Sequence, residues 1–459
     1  MHAMRWGRAV AAVLVVVLLA TACSRNDDAG GSDPTPTAPT DTGVDCSSEA
    51  PEATDVGITA DTITIEVMAD VGSPLSPGLF QANLDAVEGF AKQINERGGL
   101  ACRQLVVKTW DSKLSPEEAK NGLIDACQTA FALVGSNAIF NPDVSPLEIC
   151  PDKDGKPTGL PDIAASAVDV NQLCNSTTYL IQPVIETCPV AVDQVRPIKV
   201  TVGPARWHLE ENPGLHGLFL VPGDLPTTVQ AATYQIQAME DVGIVFDGTP
   251  KVSGRAEQAA LTPVAQLASD SGATFVFNGA NDATMLKMRR ETRTQGYDGV
   301  EVWVCNSCYT KTFLASPEDA EGTYVDLAFL PFEERDSNQA LDDYLTAVGE
   351  DNADNFGAAA WQAAMLFRQA VDDVVATHGI NGLTRAALLE ALSNIHEFDA
   401  GGWLAPKDPR GVSECSMTVQ VQNGEFVRVH PTEPGTFDCS PDNIVTVELD
   451  PAAEAAKLP

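Results

Sequence analysis

A strand–helix alternation that begins near Thr59 and keeps recurring is the feature that most constrains this chain. Thr62-Ile63-Thr64-Ile65-Glu66-Val67 alternates as a strand does, and the loop Gly72-Ser73-Pro74-Leu75-Ser76-Pro77-Gly78 follows it. Apolar residues then fall at Phe80, Leu84, Val87, Ala91 and Ile94, spacings that line one face of a helix, and Gly98-Gly99 supplies its stop. A second strand over 105–110 leads to Ser115-Pro116-Glu117-Glu118, which reads as cap, first-turn proline and capping-box glutamate. That helix runs to about Cys127, and a third strand, 131–134, ends in Gly135-Ser136-Asn137. Strands separated by helices cannot pair as hairpins, so a parallel sheet covered on both faces is the economical result.

The pattern restarts further on. Strands at 218–221, 273–278 and 300–304 alternate with helices at 227–242, 255–271 and 282–295, while Pro161-Asp162-Ile163-Ala164 reads as an apolar turn. A strand over 323–329 and helices over about 339–348 and 357–377 continue the series, and 416–429 has a hairpin signature around Asn423-Gly424. A length of 459 residues suits two or three domains, so two similar α/β lobes are expected rather than one large sheet.

Residues 1–22 read as an export signal: Arg5 and Arg8, an apolar run over 9–20, then Thr21-Ala22 before Cys23. The run is shorter than the roughly 20 residues a membrane span needs. Leu18-Leu19-Ala20-Thr21-Ala22-Cys23 resembles a bacterial lipobox, with Ala20 standing where leucine is usual, and implies acylation of Cys23. Residues 23–55 are then the lipidated end and a flexible tether, and 448–459 a tail. With 28 Lys+Arg against 64 Asp+Glu the net charge is −36, which excludes a nucleic-acid partner and a membrane contact held by charge. A covalent lipid anchor would keep so acidic a protein on a membrane.

The 11 cysteines include Cys23, and the even remainder suits disulfides in an exported chain. The expected pairs are Cys305 with Cys308, Cys415 with Cys439 and Cys102 with Cys127; Cys46, Cys150, Cys174 and Cys188 are left open. Cys305-Asn306-Ser307-Cys308 has the spacing of a redox pair but no Trp-Cys-Gly-Pro-Cys context, which favours a structural disulfide stiffening a loop. The sequence holds no His-Glu-x-x-His, no Gly-x-Ser-x-Gly and no Walker loop, so no enzyme activity, metal or cofactor is expected.

The segments 63–69 and 72–78, then Phe90-Ala91, Ile94-Asn95-Glu96-Arg97-Gly98-Gly99-Leu100 and Arg103, resemble the opening of the type I periplasmic binding proteins. The likeness is to the branched-chain amino-acid (Leu/Ile/Val-binding-like) substrate-binding lipoproteins of ABC transporters. Phe131-Ala132-Leu133-Val134-Gly135, Gln295-Gly296-Tyr297, Glu321-Gly322-Thr323-Tyr324-Val325 and Phe398-Asp399-Ala400-Gly401-Gly402 extend it over about 58–430. It implies two Rossmann-like lobes joined by three crossover segments: 56–185 plus 323–395, and 186–322 plus 396–447. A small polar or amphipathic ligand, an amino acid or a related compound, would be captured by hinge closure and passed to an ABC permease. The protein would act as a monomer outside the cytoplasm, and a ligand-sensing receptor subunit of the same fold is the alternative.

Ligands of open parallel sheets sit beyond the carboxyl ends of the strands, where helix N-termini present free N–H groups. The first-lobe candidates are Ser73, Ser76, Ser136, Asn137, Ala165 and Ser166, and the resemblance assigns Ser136 and Ser166 to an amino-acid carboxylate. Across the cleft stand Asp224, Asn281, Asp282, Asn306 and Tyr309, with Ser307 beside them. Asp282 or Asp224 would meet a ligand ammonium, or Asp282 caps the helix it opens. Trp207, Trp303 and Tyr309 line the cleft or pack.

Overall fold

The computed structural model describes residues 46–74, 76–183, 185–186 and 195–450. The export signal, the Cys23 lipidation site, most of the tether and Cys188 lie outside the described residues.

The first sheet is built from β1 (Thr62–Ala69), α1 (Gln81–Glu96), β2 (Gln104–Asp111), α2 (Pro116–Thr129), β3 (Ala132–Val134), α3 (Ser145–Ile149), β4 (Asp162–Ala167), α4 (Val170–Leu173) and β5 (Thr178–Pro183). Its strands are parallel, in the order β2-β1-β3-β4-β5. The apolar turn expected at 161–164 is instead the start of β4. Buried Asp162 can open a strand because Gln172 Nε2 and Thr178 Oγ1 each donate to its Oδ2 at 2.9 Å. Ser115 caps α2 as expected, its Oγ accepting from Glu118 N at 3.4 Å.

The chain continues through β6 (Arg196–Thr201), α5 (Gly203–Glu211), β7 (His216–Pro222), α6 (Pro226–Asp241), β8 (Val245–Gly248) and β9 (Lys251–Val252). Next come α7 (Thr262–Ser271), β10 (Phe275–Asn278), α8 (Asp282–Thr294), β11 (Val302–Val304), α9 (Lys311–Leu314), α10 (Pro317–Ala320) and β12 (Thr323–Leu327). The helix expected from residue 255 starts only at Thr262, after a 3₁₀ turn at Gln258–Leu261, because Pro263 lacks an N–H and fits only a first turn. Three helices follow, α11 (Gln339–Val348), α12 (Asn355–His378) and α13 (Arg385–Ser393), then β13 (Cys415–Gln422), β14 (Glu425–His430), β15 (Asp438–Cys439) and β16 (Ile444–Leu449).

The second sheet has the order β14-β13-β12-β11-β10-β7-β8, parallel from β12 to β8, with β13 and β14 forming the expected hairpin about Asn423-Gly424. β12 is hydrogen-bonded between β11 and β13. The boundary expected at residue 323 is therefore corrected: the return to the first lobe begins after Leu327. There α12 packs on α1 and β4, with Ala358, Ala359, Ala360, Ala363 and Ala364 all buried, small enough to let the helix lie close on the sheet. β16 pairs antiparallel with β6 and takes Glu448 and Leu449 from the expected tail.

The Cys305–Cys308 and Cys415–Cys439 disulfides are present, as are Cys46–Cys102 and Cys127–Cys150; Cys174 is also disulfide-bonded. The expected Cys102–Cys127 pair is thus corrected. β1 lies between β2 and β3, so α2 must cross β1 and carries Cys127 away from the β2 edge to Cys150 at the end of α3. The Cys46–Cys102 bond also docks residues that the sequence assigned to the tether. Arg103, 1% exposed, reinforces it by donating to Glu52 O (2.9 Å), Thr59 O (2.9 Å) and Ile380 O (3.0 Å).

Arg385 does the same for the end of α2. Its side chain is 0% exposed, and its guanidinium donates to Cys127 O and Pro151 O at 2.8 Å and to Ala130 O. Replacing it with leucine strands these carbonyls without donors, so Arg385→Leu is expected to lower unfolding free energy by about 3 kcal/mol or more in urea titrations. A loss below about 1 kcal/mol contradicts this role.

Candidate functional site

The carboxyl ends of the first sheet are organised by one buried acid. Asp70, 1% exposed at the end of β1, accepts from Ser112 Oγ (2.6 Å), Leu114 N (2.8 Å) and Ile139 N (2.9 Å), joining the loops after β1, β2 and β3. Burial raises its pKa. Gly135 turns the chain after β3 with φ +74°, and a Cβ there would meet Val87 Cγ2 at 2.5 Å. The turn inserts Ser136 into the sheet, where its Oγ accepts from Met68 N at 3.0 Å; Asn137 N donates to Met68 O and Ala165 N to Ser136 O. Ser73 Oγ accepts from Ser76 N at 3.4 Å. Thus Ser73, Ser136, Asn137 and Ala165 are buried in the frame of the loops, Ser76 is half-buried beside them, and Ser166, at the end of β4, faces a cavity.

The second sheet divides its candidates in the same way. Asp224 accepts from Ser253 Oγ and Gly254 N, both at 2.7 Å, and Asn281 Nδ2 donates to Gly254 O at 3.1 Å. The cap of α8 is Asn281, whose Oδ1 accepts from Thr284 N at 3.0 Å, while Asp282 accepts from Ala283 N and from Thr310 Oγ1. Tyr309, 1% exposed, packs against Phe329, Phe332 and Phe426 and donates to Glu333 Oε2 at 2.7 Å. Trp207 stacks on His430, and Trp303 lies under the Arg289 guanidinium, so neither joins the cavity lining. Asn306 does join it.

This cavity, about 380 Å³, lies where the ends of β4 and β5 meet those of β10, β11 and β12. Ser166 and Gln182 line it from the first sheet, and Asn278, Asn306, Ser307 and Asp326 from the second. Asn355 and Phe356 at the start of α12, together with Lys407, complete the polar and aromatic lining that matters here. The second-lobe wall is held before any ligand arrives. Asn278 Nδ2 donates to Asn281 O (2.9 Å), Ser307 Oγ donates to Ala280 O (2.7 Å), and the Cys305–Cys308 disulfide closes the 3₁₀ turn carrying Asn306 and Ser307. Asn355 Oδ1 is buried without a hydrogen-bond partner. Thr227 at the start of α6 donates to Ile139 O at 3.3 Å, so the loop that Asp70 organises touches the second lobe.

Three ionisable side chains, Asp326, His208 and Lys407, shape the cavity's electrostatics. Burial pushes Asp326 up to about 7, opposed only by the hydrogen bond from Thr418 Oγ1 (2.8 Å). His208 Nε2 lies 3.8 Å from Asp326 Oδ1, and burial, with a smaller effect from His430, pushes that imidazole down to about 3, so it is neutral at pH 7. Burial likewise pushes Lys407 down to about 7. Sequence reasoning missed Asn355, Asp326 and Lys407; the one available signal was a lysine in the otherwise apolar Trp403-Leu404-Ala405-Pro406-Lys407. Among the described residues no group of three His, Cys, Asp or Glu side chains could hold a metal ion.

The model of a periplasmic binding protein family matches residues 201–425. The fold agrees with solved structures across nearly their whole length. A substrate-binding protein of an ABC transporter from Desulfitobacterium hafniense, in complex with Leu, is 16% identical, with a TM-score of 0.57 over 80% of this chain and 100% of that one. A fatty acid ABC-transporter substrate-binding protein from Thermomonospora curvata is 16% identical, with a TM-score of 0.58 over 83% and 97%. A leucine-binding protein from Thermotoga maritima is 11% identical, with a TM-score of 0.60 over 83% and 99%. No curated protein matches the sequence. The chain therefore has the type I periplasmic-binding-protein fold, and the resemblance seen in the sequence holds at the level of that fold.

Asp326 yields a pH prediction. Its pKa is raised from 3.8 to about 7 on folding, so the folded state binds the extra proton between these values and loses stability as pH rises through that window. Asp326→Asn keeps an acceptor for Thr418 and removes the titration. Its melting temperature is therefore expected to gain on that of the native protein between pH 4 and 7, measured by differential scanning fluorimetry. Parallel curves would contradict this reading of the carboxyl.

Proposed function

We propose that this protein is an extracytoplasmic solute-binding protein of an ABC importer, held to the membrane through lipid on Cys23. In this reading it captures a small amphipathic ligand, an amino acid or a related compound, by closing two lobes about a hinge. The observation that carries this reading is the cavity between the two sets of strand ends. Phe277, Phe329 and Phe356 offer it apolar surface, while Asn278, Asn306, Ser307 and Lys407 offer fixed polar groups. A leucine-bound protein and a fatty-acid transporter component among the structural relatives suit an amphipathic ligand. The pre-set hydrogen bonds of Asn278 and Ser307 support capture rather than chemistry, because these groups are already engaged in holding loops.

Of the candidates read from the sequence, Ser166 and Asn306 contact the ligand in this proposal. Ser136, Asn137, Asp224 and Asn281 act one step away, fixing the loops that bear or neighbour the contact residues. Hinge closure draws support from the division of the chain into two sheets whose connections include residues 195–202, 328–338 and 394–414, each of which lines the cavity in part.

A thermal-shift screen against amino acids, fatty acids, aromatic acids, amides and short peptides tests this. A ligand at 100 times its Kd stabilises the native state by about 2.7 kcal/mol, a rise of several degrees. Ser166→Trp fills the cavity from a half-buried position and is expected to abolish the rise while leaving the unliganded melting temperature within about 2 °C. Retention of the full shift by Ser166→Trp would place the ligand elsewhere.

A further inference from the structure

Lys407 stands out among the groups lining the cavity. It is 7% exposed and sits on the segment between α13 and β13, bridged by main-chain hydrogen bonds to Phe398. Its Nζ donates to Leu180 O at 2.6 Å and to Ile181 O at 3.4 Å, carbonyls in the middle of β5. An ammonium has three N–H donors, and among the described residues these are the two acceptors that Lys407 reaches.

No carboxylate among the described residues forms an ion pair with it. The neighbouring Asp408 carboxylate is instead 2.9 Å from His396 Nδ1, and Glu397 and Asp399, on either side of the bridged Phe398, are exposed. Arg410, the other cation on this segment, turns its guanidinium to Ser176 O (2.8 Å) and lies over the Tyr179 ring. Asp326 lines the same cavity but is engaged by Thr418 and faces the neutral His208.

A buried ammonium with no carboxylate in ion-pair contact, its charge met only by the weaker attraction of Asp408, is costly, and side chains of this kind persist where something else supplies the charge or where the amine gives up its proton. We propose that Lys407 is the anion-recognising residue of the cleft, its third N–H and its charge directed at the carboxylate of a carboxylate-bearing ligand. This rests on the solute-binding reading and narrows it to a ligand class. The unpartnered Asn355 Oδ1 in the same lining is a second group that calls for a ligand, here for a hydrogen-bond donor on it.

The assignment has a signature that simple packing lacks. Without an anion, burial holds the amine near 7, so at pH 8 most of the free protein carries it neutral. A bound carboxylate favours the charged form, so binding takes up a proton, and affinity falls by up to about tenfold per pH unit above 7.

The experiment compares L-leucine with L-leucinamide, phenyllactate with its amide and octanoate with octanol, by thermal shift at pH 6 and pH 8. It adds calorimetry in buffers of different ionisation enthalpy, using any compound that binds. The expected result is stabilisation by one or more carboxylates and not by the matched neutral compound, larger at pH 6, with net proton uptake at pH 8. Lys407→Met should lose the preference at least tenfold and Lys407→Arg should retain part of it. The proton-uptake measurement needs only the native protein, so it decides the matter even if Lys407→Met fails to fold. Equal response to both members of every pair, or binding without proton uptake, overturns the Lys407 assignment. If Ser166→Trp still removes those shifts, the cleft stands as the binding site. Shifts that survive Ser166→Trp sink both, whereas a panel in which no carboxylate binds overturns the Lys407 assignment alone.

Discussion

Parallel strands can be joined only by a crossover that returns over the sheet, and in a right-handed crossover every strand carboxyl end emerges along one edge. In this protein the constraint operates twice, once from β1 to β5 and once from β7 to β12, and the two edges border one cavity. Much else follows from it. The loops at those edges have no strand partner for their polar groups, so Asp70 binds three of them in the first lobe and Asp224 and Asn281 hold the Ser253-Gly254 loop in the second. At the other end, Arg103 and Arg385 satisfy part-buried carbonyls of the segment before β1 and of the last turn of α2. Ionic side chains are thus spent on loop ends while the sheets are held by aliphatic and aromatic packing.

The alternation was legible because periodicity is a local property. α1, α2 and β1 could be placed to within a residue or two, and so could the β13–β14 hairpin, where Asn423 and Gly424 have φ values of 55° and 81° as a tight hairpin turn requires. Depth within a loop was not legible. Ser136 follows β3 and Ser166 closes the neighbouring β4, yet the Ser136 hydroxyl is taken by Met68 N and Ser166 opens onto the cavity. That difference comes from the positive-φ turn at Gly135, which returns the chain into the sheet. Asp282 and Asn281 show the same limit: either could cap α8, and the spacing to Thr284 N decides for Asn281.

Long-range partners were the other gap. Lys407 reaches the cavity from a segment more than two hundred positions beyond the β5 carbonyls it contacts, and the apolar run before it, 403–406, hints at burial without naming the partner. The Cys102–Cys127 expectation failed for a related reason. Separation along the chain does not choose the partner: Cys127 bonds to Cys150, 23 positions on, because the order β2-β1-β3 sends α2 across the sheet and away from Cys102.

The net charge of −36 and the cleft now separate. Surface acids are solvated and screened over about 10 Å at ordinary ionic strength, so they act on steering rather than on contacts inside a cavity. Inside, burial pushes Asp326 up and Lys407 down until both titrate near 7. A site poised in that way carries little fixed charge when empty and can be polarised by what enters. An anion favours the protonated lysine, a cation favours the ionised aspartate, and either change draws on groups already buried rather than on water. A strongly acidic protein can therefore accept an anionic solute without opposing it at the point of contact, because the sign of the cleft is set by its local lining and not by the whole.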